Sequence, residues 1–176
     1  MRWLTEAEAA AACGSTVRPD GWGLWAEGGE RVGFFLEYDR GTEPLARLAA
    51  KLRDYERLES ERGAAAWVLF AFESARREES ARRALSGATV AVATAALDGA
   101  VPPSEALWLP LRASGAGRVR LAALARVPKP AVAVERAAHA SARAWMYPAF
   151  GDDPGDAGGH EAPDPWRLDG EGDEPW

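Results

Sequence analysis

Cysteine, histidine and lysine are nearly missing from this sequence, and their scarcity narrows the chemistry open to it. A single cysteine, Cys13, leaves no partner for a disulfide within the chain. It borders an alanine run and reads as a small packing residue rather than a nucleophile. Histidine occurs only at positions 139 and 160, too few to build a zinc site of the His/Cys kind. No stretch approaches the ~18 consecutive apolar residues of a membrane-spanning helix. The opening Met1-Arg2-Trp3-Leu4-Thr5-Glu6 carries an acid early and lacks the apolar centre of a signal peptide. A cytoplasmic location and no membrane partner are therefore expected. Whatever chemistry the chain performs must rest on carboxylates, Lys, Arg and Tyr.

Lysine is scarcer than the overall charge suggests. Of 21 basic residues only Lys51 and Lys129 are lysine. Arginine preference together with alanine runs reflects GC-rich codons, not function, yet it sets Lys51 apart from the habitual cation. The net charge of -6 also hides two regions. Residues 151–176 hold nine acids and one arginine among six glycines and four prolines, which predicts a disordered acidic tail. Such a tail serves most often for solubility and more rarely mimics DNA against a basic surface. The remainder holds 18 acids against 20 bases, a roughly neutral body compatible with nucleic acid.

The length suits one core. A short helix of strong formers is expected over residues 5–12, stopping at Cys13-Gly14, with 1–13 as a separate N-terminal helix. Residues 15–19 and 22–27 read as short strands around Gly21, and Glu27-Gly28-Gly29-Glu30 reads as a hairpin turn. The next strand, 31–39, is apolar on both faces at first, so it should lie centrally. Glu37 and Asp39 then share a face at its end.

Thr42 is expected to cap a helix over 43–61, with Leu45, Leu48, Leu52 and Tyr55 towards the core and Lys51 at the stripe's edge. A buried strand at 67–72, a helix at 76–85, a strand at 89–94 and a short edge segment at 107–111 follow. A helical turn or two is expected within 118–126, and a helix over 135–146 in an extension spanning 127–150. The order predicts an α/β domain over 14–126 with a mixed central sheet flanked by helices. No internal repeat is apparent.

Three acids thus gather at strand ends: Asp20 after Arg18-Pro19, then Glu37 and Asp39. Buried-strand acids need water, a cation or hydrogen-bond donors, and three together can form an oxygen-lined divalent metal site. The plainer reading stands beside it. Pro-Asp-Gly is a turn string in any protein, and Glu37 and Asp39 can be salt-bridged to Arg18 or Arg40. Arg76-Arg77 and Arg82-Arg83, interleaved with Glu78 and Glu79, read as a solvated helix face with local ion pairs. Trp22, Trp25, Trp67, Trp108 and Trp145 read as packing residues, whereas Trp3, Trp166 and Trp176 can anchor a partner.

The layout strand, Pro-Asp, strand, strand, Glu-x-Asp, helix resembles the PD-(D/E)xK nuclease superfamily. Arg18-Pro19-Asp20, then Phe35-Leu36-Glu37-Tyr38-Asp39-Arg40-Gly41-Thr42-Glu43, then Leu45, Lys51-Leu52 and Tyr55 are similar to the C-terminal domain of the actinobacterial replication-relaxation family of plasmid proteins. Trp108-Leu109-Pro110-Leu111 and Arg118-Val119-Arg120-Leu121 are similar to that domain's end, so the likeness covers roughly residues 15–126.

The resemblance implies a role in plasmid replication, DNA relaxation or mobilisation. DNA is the implied partner, together with other replication or mobilisation proteins. It makes Asp20 and Glu37 ligands of Mg²⁺ or Mn²⁺ in a DNA endonuclease or nickase. The superfamily's lysine falls two residues after the second acid, where this chain has Asp39. Asp39 would bind metal or pair with Arg40 or Lys51, and Lys51 on the following helix becomes the migrated lysine. Only about a dozen residues precede the domain, which suggests a stand-alone or shortened version lacking the family's winged helices. A non-catalytic accessory module and a decayed fragment are the rival expectations.

Overall fold

The computed structural model describes residues 1–130 apart from 15, 63–64, 98, 100 and 113–116. The helix expected over 135–146, the acidic tail, His139, His160, Trp145, Trp166 and Trp176 lie outside the described residues.

Six strands form one mixed sheet in sequence order. They are β1 (Arg2–Thr5), β2 (Gly21–Glu27), β3 (Glu30–Asp39), β4 (Trp67–Phe72), β5 (Ala91–Ala96) and β6 (Leu109–Pro110). β1, β2 and β3 run as an antiparallel meander. β3, β4 and β5 are parallel, joined by helices α2 (Leu45–Arg62) and α3 (Ala75–Leu85). A short helix α1 (Glu6–Ala12) follows β1, and a 3₁₀ helix (Ala122–Arg126) comes last among the described residues. The α/β class and mixed sheet agree with the sequence reading. No helix among the described residues is long and apolar enough to cross a membrane.

The sheet separates two apolar layers. Leu48, Leu52, Tyr55 and Leu58 of α2, Ala81 and Leu85 of α3 and Ala9 of α1 pack with Phe35, Val68, Phe70 and Phe72 on one face. On the other, Val32, Phe34, Trp67, Leu69, Ala91 and Ala93 are covered by Leu107, Trp108, Leu121 and Leu124. Parallel strands added successively in one direction by right-handed crossovers place their helices on the same face, which puts α2 and α3 side by side. Helices α1, α2 and α3 flank one side of the sheet, and Leu107, Trp108, Leu121 and Leu124 cover the other.

Two expectations are corrected near the N-terminus. Among the described residues of the expected 15–19 strand, 16–19 form none; the extra strand of the meander is β1, which is too short for its alternation to stand out. β1 can lie there because β2 carries glycines: a Cβ on Gly21 would fall 2.1 Å from the Trp3 ring, and one on Gly23 2.4 Å from Phe34. Both rings lie across the bare backbone of β2, leaving Trp3 41% exposed. The turn between β2 and β3 is as expected, with φ of 59° at Gly28 and 81° at Gly29, the pair of positive values that a type I′ hairpin demands. α2 begins at Leu45 and not at a Thr42 cap; Arg47 N–H donates to Pro44 O at 2.9 Å. Cys13 is buried, its thiol pushed up to about 11 by desolvation, as suits a packing residue.

The set of solvated arginines on α3 is also corrected. Arg83 and Glu79 do form an exposed pair at 2.8 Å. Arg82, however, turns inward to Thr94 Oγ1 (2.9 Å) and to the carbonyl oxygens of Leu109 and Pro110. Glu78 is 2% exposed and accepts from Thr94 Oγ1 and from Arg118, the latter at 2.6 Å. This network fastens β6, Leu107 and Arg118 to α3. A buried acid is stabilised there by donors from two other elements, consistent with the rule that buried charges are paired.

Glu59 is a second buried acid, on the same side of α2 that the helical period gives to Leu48, Leu52 and Tyr55, at 4% exposure near the C-terminal end of the helix. Burial pushes its carboxyl up to about 7, with the nearby Lys129 charge and the Ala66 N–H opposing and Glu56 reinforcing. A carboxyl whose folded pKa lies above its unfolded value favours the folded state when protonated. Its contribution is therefore present at low pH and fades as pH rises from about 4.5 to about 7. We expect Glu59→Gln to remove that dependence, leaving the variant more stable than the wild type at pH 8 by up to about 3 kcal/mol. Urea unfolding at pH 5 and pH 8 checks this; parallel curves for the two proteins would refute it.

Candidate functional site

The site lies where β3 ends. β2 runs antiparallel to β3, so the residue entering β2 meets the end of β3, with Gly21 opposite Leu36. Asp20 N–H donates to Leu36 O at 3.0 Å, and Asp20 Oδ2 accepts from Tyr38 N–H at 2.6 Å. The turn role of Asp20 and its proximity to the strand end are thus two aspects of one geometry. Asp20 is exposed, although Pro19 before it is buried.

Glu37 points to the helical face, one step along from Phe35, and its side chain is 4% exposed. Tyr55 Oη donates to Oε1 at 2.6 Å, and Lys51 Nζ donates to Oε2 at 2.8 Å. Lys51 and Tyr55 are one helical turn apart on α2, so one face of one helix presents both donors. The Tyr55 ring, expected towards the core, is fully buried, its centroid 5.2 Å from that of the Phe35 ring. Burial pushes the Glu37 carboxyl up, and the Lys51 and Tyr55 contacts oppose that rise. For Lys51, burial pulls down, but Glu37, Glu43 and Asp20 outweigh it and the net direction is upward. Desolvation and the adjacent Glu37 charge both push the Tyr55 phenol up, so it stays a proton donor in the resting site.

Asp39 lies at the end of β3, and its side chain is 3% exposed. It does not pair with Arg40 or Lys51. Oδ1 accepts from Gly41 N–H at 2.7 Å, and Oδ2 accepts from Arg77 Nε at 2.8 Å. Arg77 also donates to the carbonyl oxygen of Glu43. One guanidinium therefore ties the first turn of α3 to the strand end and to the loop that leads into α2. Arg77 is the residue that sequence reasoning misplaced on a solvated face. Its spacing carries no sign of the pairing, because Asp39 is 38 residues away.

Asp20, Glu37, Asp39, Arg40, Thr42, Glu43 and Lys51 line an open cleft of about 530 Å³. A second recess of about 250 Å³, bounded by Arg18, Asp54 and Tyr55, lies on the other side of the Glu37–Lys51 pair. That pair is thus common to both walls. Arg18 makes only an exposed 3.4 Å contact with Glu6 and does not approach Glu37 as an ion-pair partner among the described residues. Also among the described residues, no three Asp, Glu, His or Cys side chains converge as a ready-made metal cage. The cleft brings Asp20, Glu37 and Lys51 together, and it turns Asp39 towards Arg77.

Removing Arg77 would leave Asp39 buried without its counter-charge. We expect Arg77→Ala to lower the unfolding free energy by about 3 kcal/mol, the scale for breaking a buried pair from one side. Arg77→Lys should recover only part, since an ammonium cannot reproduce the planar fork that spans Asp39 and the Glu43 carbonyl. Denaturant midpoints of the three proteins test this, and a loss below about 0.5 kcal/mol, the size of an ordinary surface change, would contradict it.

The model of the family described as replication-relaxation matches residues 1–68. The match begins before the 15–126 span expected from the sequence and ends just inside β4. Trp108–Leu111 and Arg118–Leu121 lie beyond it. No curated protein and no solved structure matches the chain. Every residue that builds the Glu37 end of the cleft, from Asp20 to Tyr55, falls within the matched stretch.

Proposed function

We propose that this chain acts on DNA in plasmid replication or relaxation, through a divalent-cation-dependent site of the PD-(D/E)xK kind directed at phosphodiester bonds. The observation that carries the reading is the convergence of Asp20, Glu37 and Lys51, from three separate segments, on one open cleft at the end of a central strand. The donor set fits the ion. Carboxylate oxygens without histidine or cysteine suit Mg²⁺ or Mn²⁺, and Asp20 and Glu37 are the residues that would hold it. When bound, such an ion would offset charge on the scissile phosphate and lower the pKa of water.

The chain's own residues supply the rest. Tyr55 and β3 fix the Glu37 carboxylate, so little reorganisation is needed at that oxygen pair. Lys51 brings an ammonium to the cleft, a donor suited to a phosphate oxygen or to the attacking water. Asp39 acts as a buttress: through Arg77 it sets the 40–44 loop that forms one wall. Exposed Arg40 on the cleft and exposed Arg18 by the neighbouring recess offer phosphate contacts that position a strand without reading its sequence.

A second reading, a non-catalytic accessory module of a replication or mobilisation complex, is favoured by a different observation. Both oxygens of Glu37 and both of Asp39 already accept hydrogen bonds from the protein. The two readings part on one experiment. Mg²⁺ and Mn²⁺ are titrated calorimetrically into the wild type and into Asp20→Asn/Glu37→Gln, with circular dichroism to confirm folding, and supercoiled plasmid is then incubated with each. We expect saturable binding and metal-dependent nicking, with nicking reduced at least about 100-fold in the double variant. Binding and nicking absent from a folded wild type would overturn the catalytic reading and leave the accessory one.

A further inference from the structure

On the cation reading, on which this proposal depends, a divalent ion directed to Glu37 finds Oε2 already held by Lys51 Nζ at 2.8 Å. Two cations cannot share one carboxylate oxygen at close range without strong repulsion. The ammonium has somewhere else to go. Its second neighbour is Glu43 Oε2, 3.7 Å away, while Glu43 Oε1 faces Arg47 at 3.8 Å. The two carboxylates differ in their need for it. The Glu37 side chain is 4% exposed and depends on a counter-charge; that of Glu43 is 34% exposed and is partly served by water. Lys51 itself is 35% exposed on a flexible stem, so a swing between the two acids breaks no packing that encloses it.

We propose that Lys51 is the resident counter-ion of Glu37 and is exchanged for the divalent cation, turning to Glu43 when the cation binds. Tyr55 stays on Oε1 throughout, so the carboxylate keeps one fixed donor while the other changes. In the resting protein the ammonium neutralises the acid; in the loaded protein it is delivered to the open side of the cleft, against Glu43, where a phosphate would approach. Cation binding and lysine placement are then one event.

The chain's shortage of lysine makes the exchange directly observable. Reductive methylation with ¹³C-formaldehyde labels only Lys51, Lys129 and the terminal amine, and Lys129 is anchored elsewhere on the carbonyl of Ala65 at 2.6 Å. Titrating Mg²⁺ should move the Lys51 methyl resonance saturably, with the midpoint found by calorimetry on the same labelled protein, and leave Lys129 still. In calorimetry on unlabelled protein, Lys51→Met should bind Mg²⁺ at least about ten-fold more tightly than the wild type. Glu43→Gln, which removes the second station, should bind it more weakly.

A Lys51 resonance that stays put while Mg²⁺ binds would overturn the exchange, as would unchanged or weaker binding by a folded Lys51→Met. Both results would leave the cation reading standing. Absence of Mg²⁺ binding from both the wild type and Lys51→Met would sink the cation reading and the exchange with it. Binding by Lys51→Met alone would support the exchange in its strongest form. Should Lys51→Met fail to fold, the resonance in the unsubstituted chain decides.

Discussion

Two carboxylates are buried at the end of β3, and the need to neutralise them governs how the helical layer is assembled. An isolated carboxylate in an apolar interior costs several kcal/mol unless it is paired and hydrogen-bonded. Glu37 obtains its donors from α2, through Lys51 and Tyr55, and Asp39 obtains its own from α3, through Arg77. Each acid therefore specifies which helix lies over it and at what height. Hydrophobic burial brings α2 and α3 down on the sheet, but Leu48, Leu52 and Leu85 would accept several sliding positions. The Tyr55 hydroxyl and the Arg77 guanidinium accept one, because a donor displaced by half a turn, about 2.7 Å, no longer reaches its acceptor.

The same device recurs away from the cleft. Glu78 on α3 is held by Arg118 and Thr94, and Arg82 beside it caps the carbonyl oxygens of β6. That network joins the helical layer to the segment that covers the opposite face of the sheet, passing around the β5–β6 edge. Glu59 differs in kind. Its cation, Lys129, bonds a backbone carbonyl instead, and burial leaves the acid near neutrality. Comparing the four acids separates position from purpose. Three are clamped between elements, whereas only Glu37 has a donor that is partly exposed, flexible and within reach of a second acid.

The sequence made the parallel half of the sheet readable because its signals are local. The apolar run at β4, the amphipathic stripe of α2 and the two-glycine turn before β3 each announce themselves within a few residues. β1 escaped because four residues carry too little alternation, and what admits it, the bare backbone at Gly21 and Gly23, lies on another strand. Of the cleft, the nearness of Asp20, Glu37 and Lys51 was legible, since Pro-Asp and Glu-x-Asp are sequence-local, although Asp20 was expected at the end of a strand over 15–19 and instead precedes β2. Lys51 also stood out through the chain's preference for arginine. The fate of Asp39 was not legible. Arg77 belongs to the next crossover, and no pattern along α3 distinguishes an arginine that points inward to Asp39 from Arg83, which points to solvent.

That hidden pairing bears on the charge balance at the end of β3. With Glu37 and Asp39 both acidic, the strand end carries two negative charges and no positive one between them. Both compensating cations must then arrive from helices, and they are unequal. Arg77 is a guanidinium with two bonds to fixed acceptors, so it is committed to holding Asp39 and the 40–44 loop. Lys51 is an ammonium with one short bond and one longer neighbour. The division leaves Lys51 the less firmly committed of the two cations, partly exposed and beside a second acid. In the exchange proposed above, a lysine carried on the edge of α2 changes partners without disturbing the sheet, as a side chain fixed by the pleat of β3 would not.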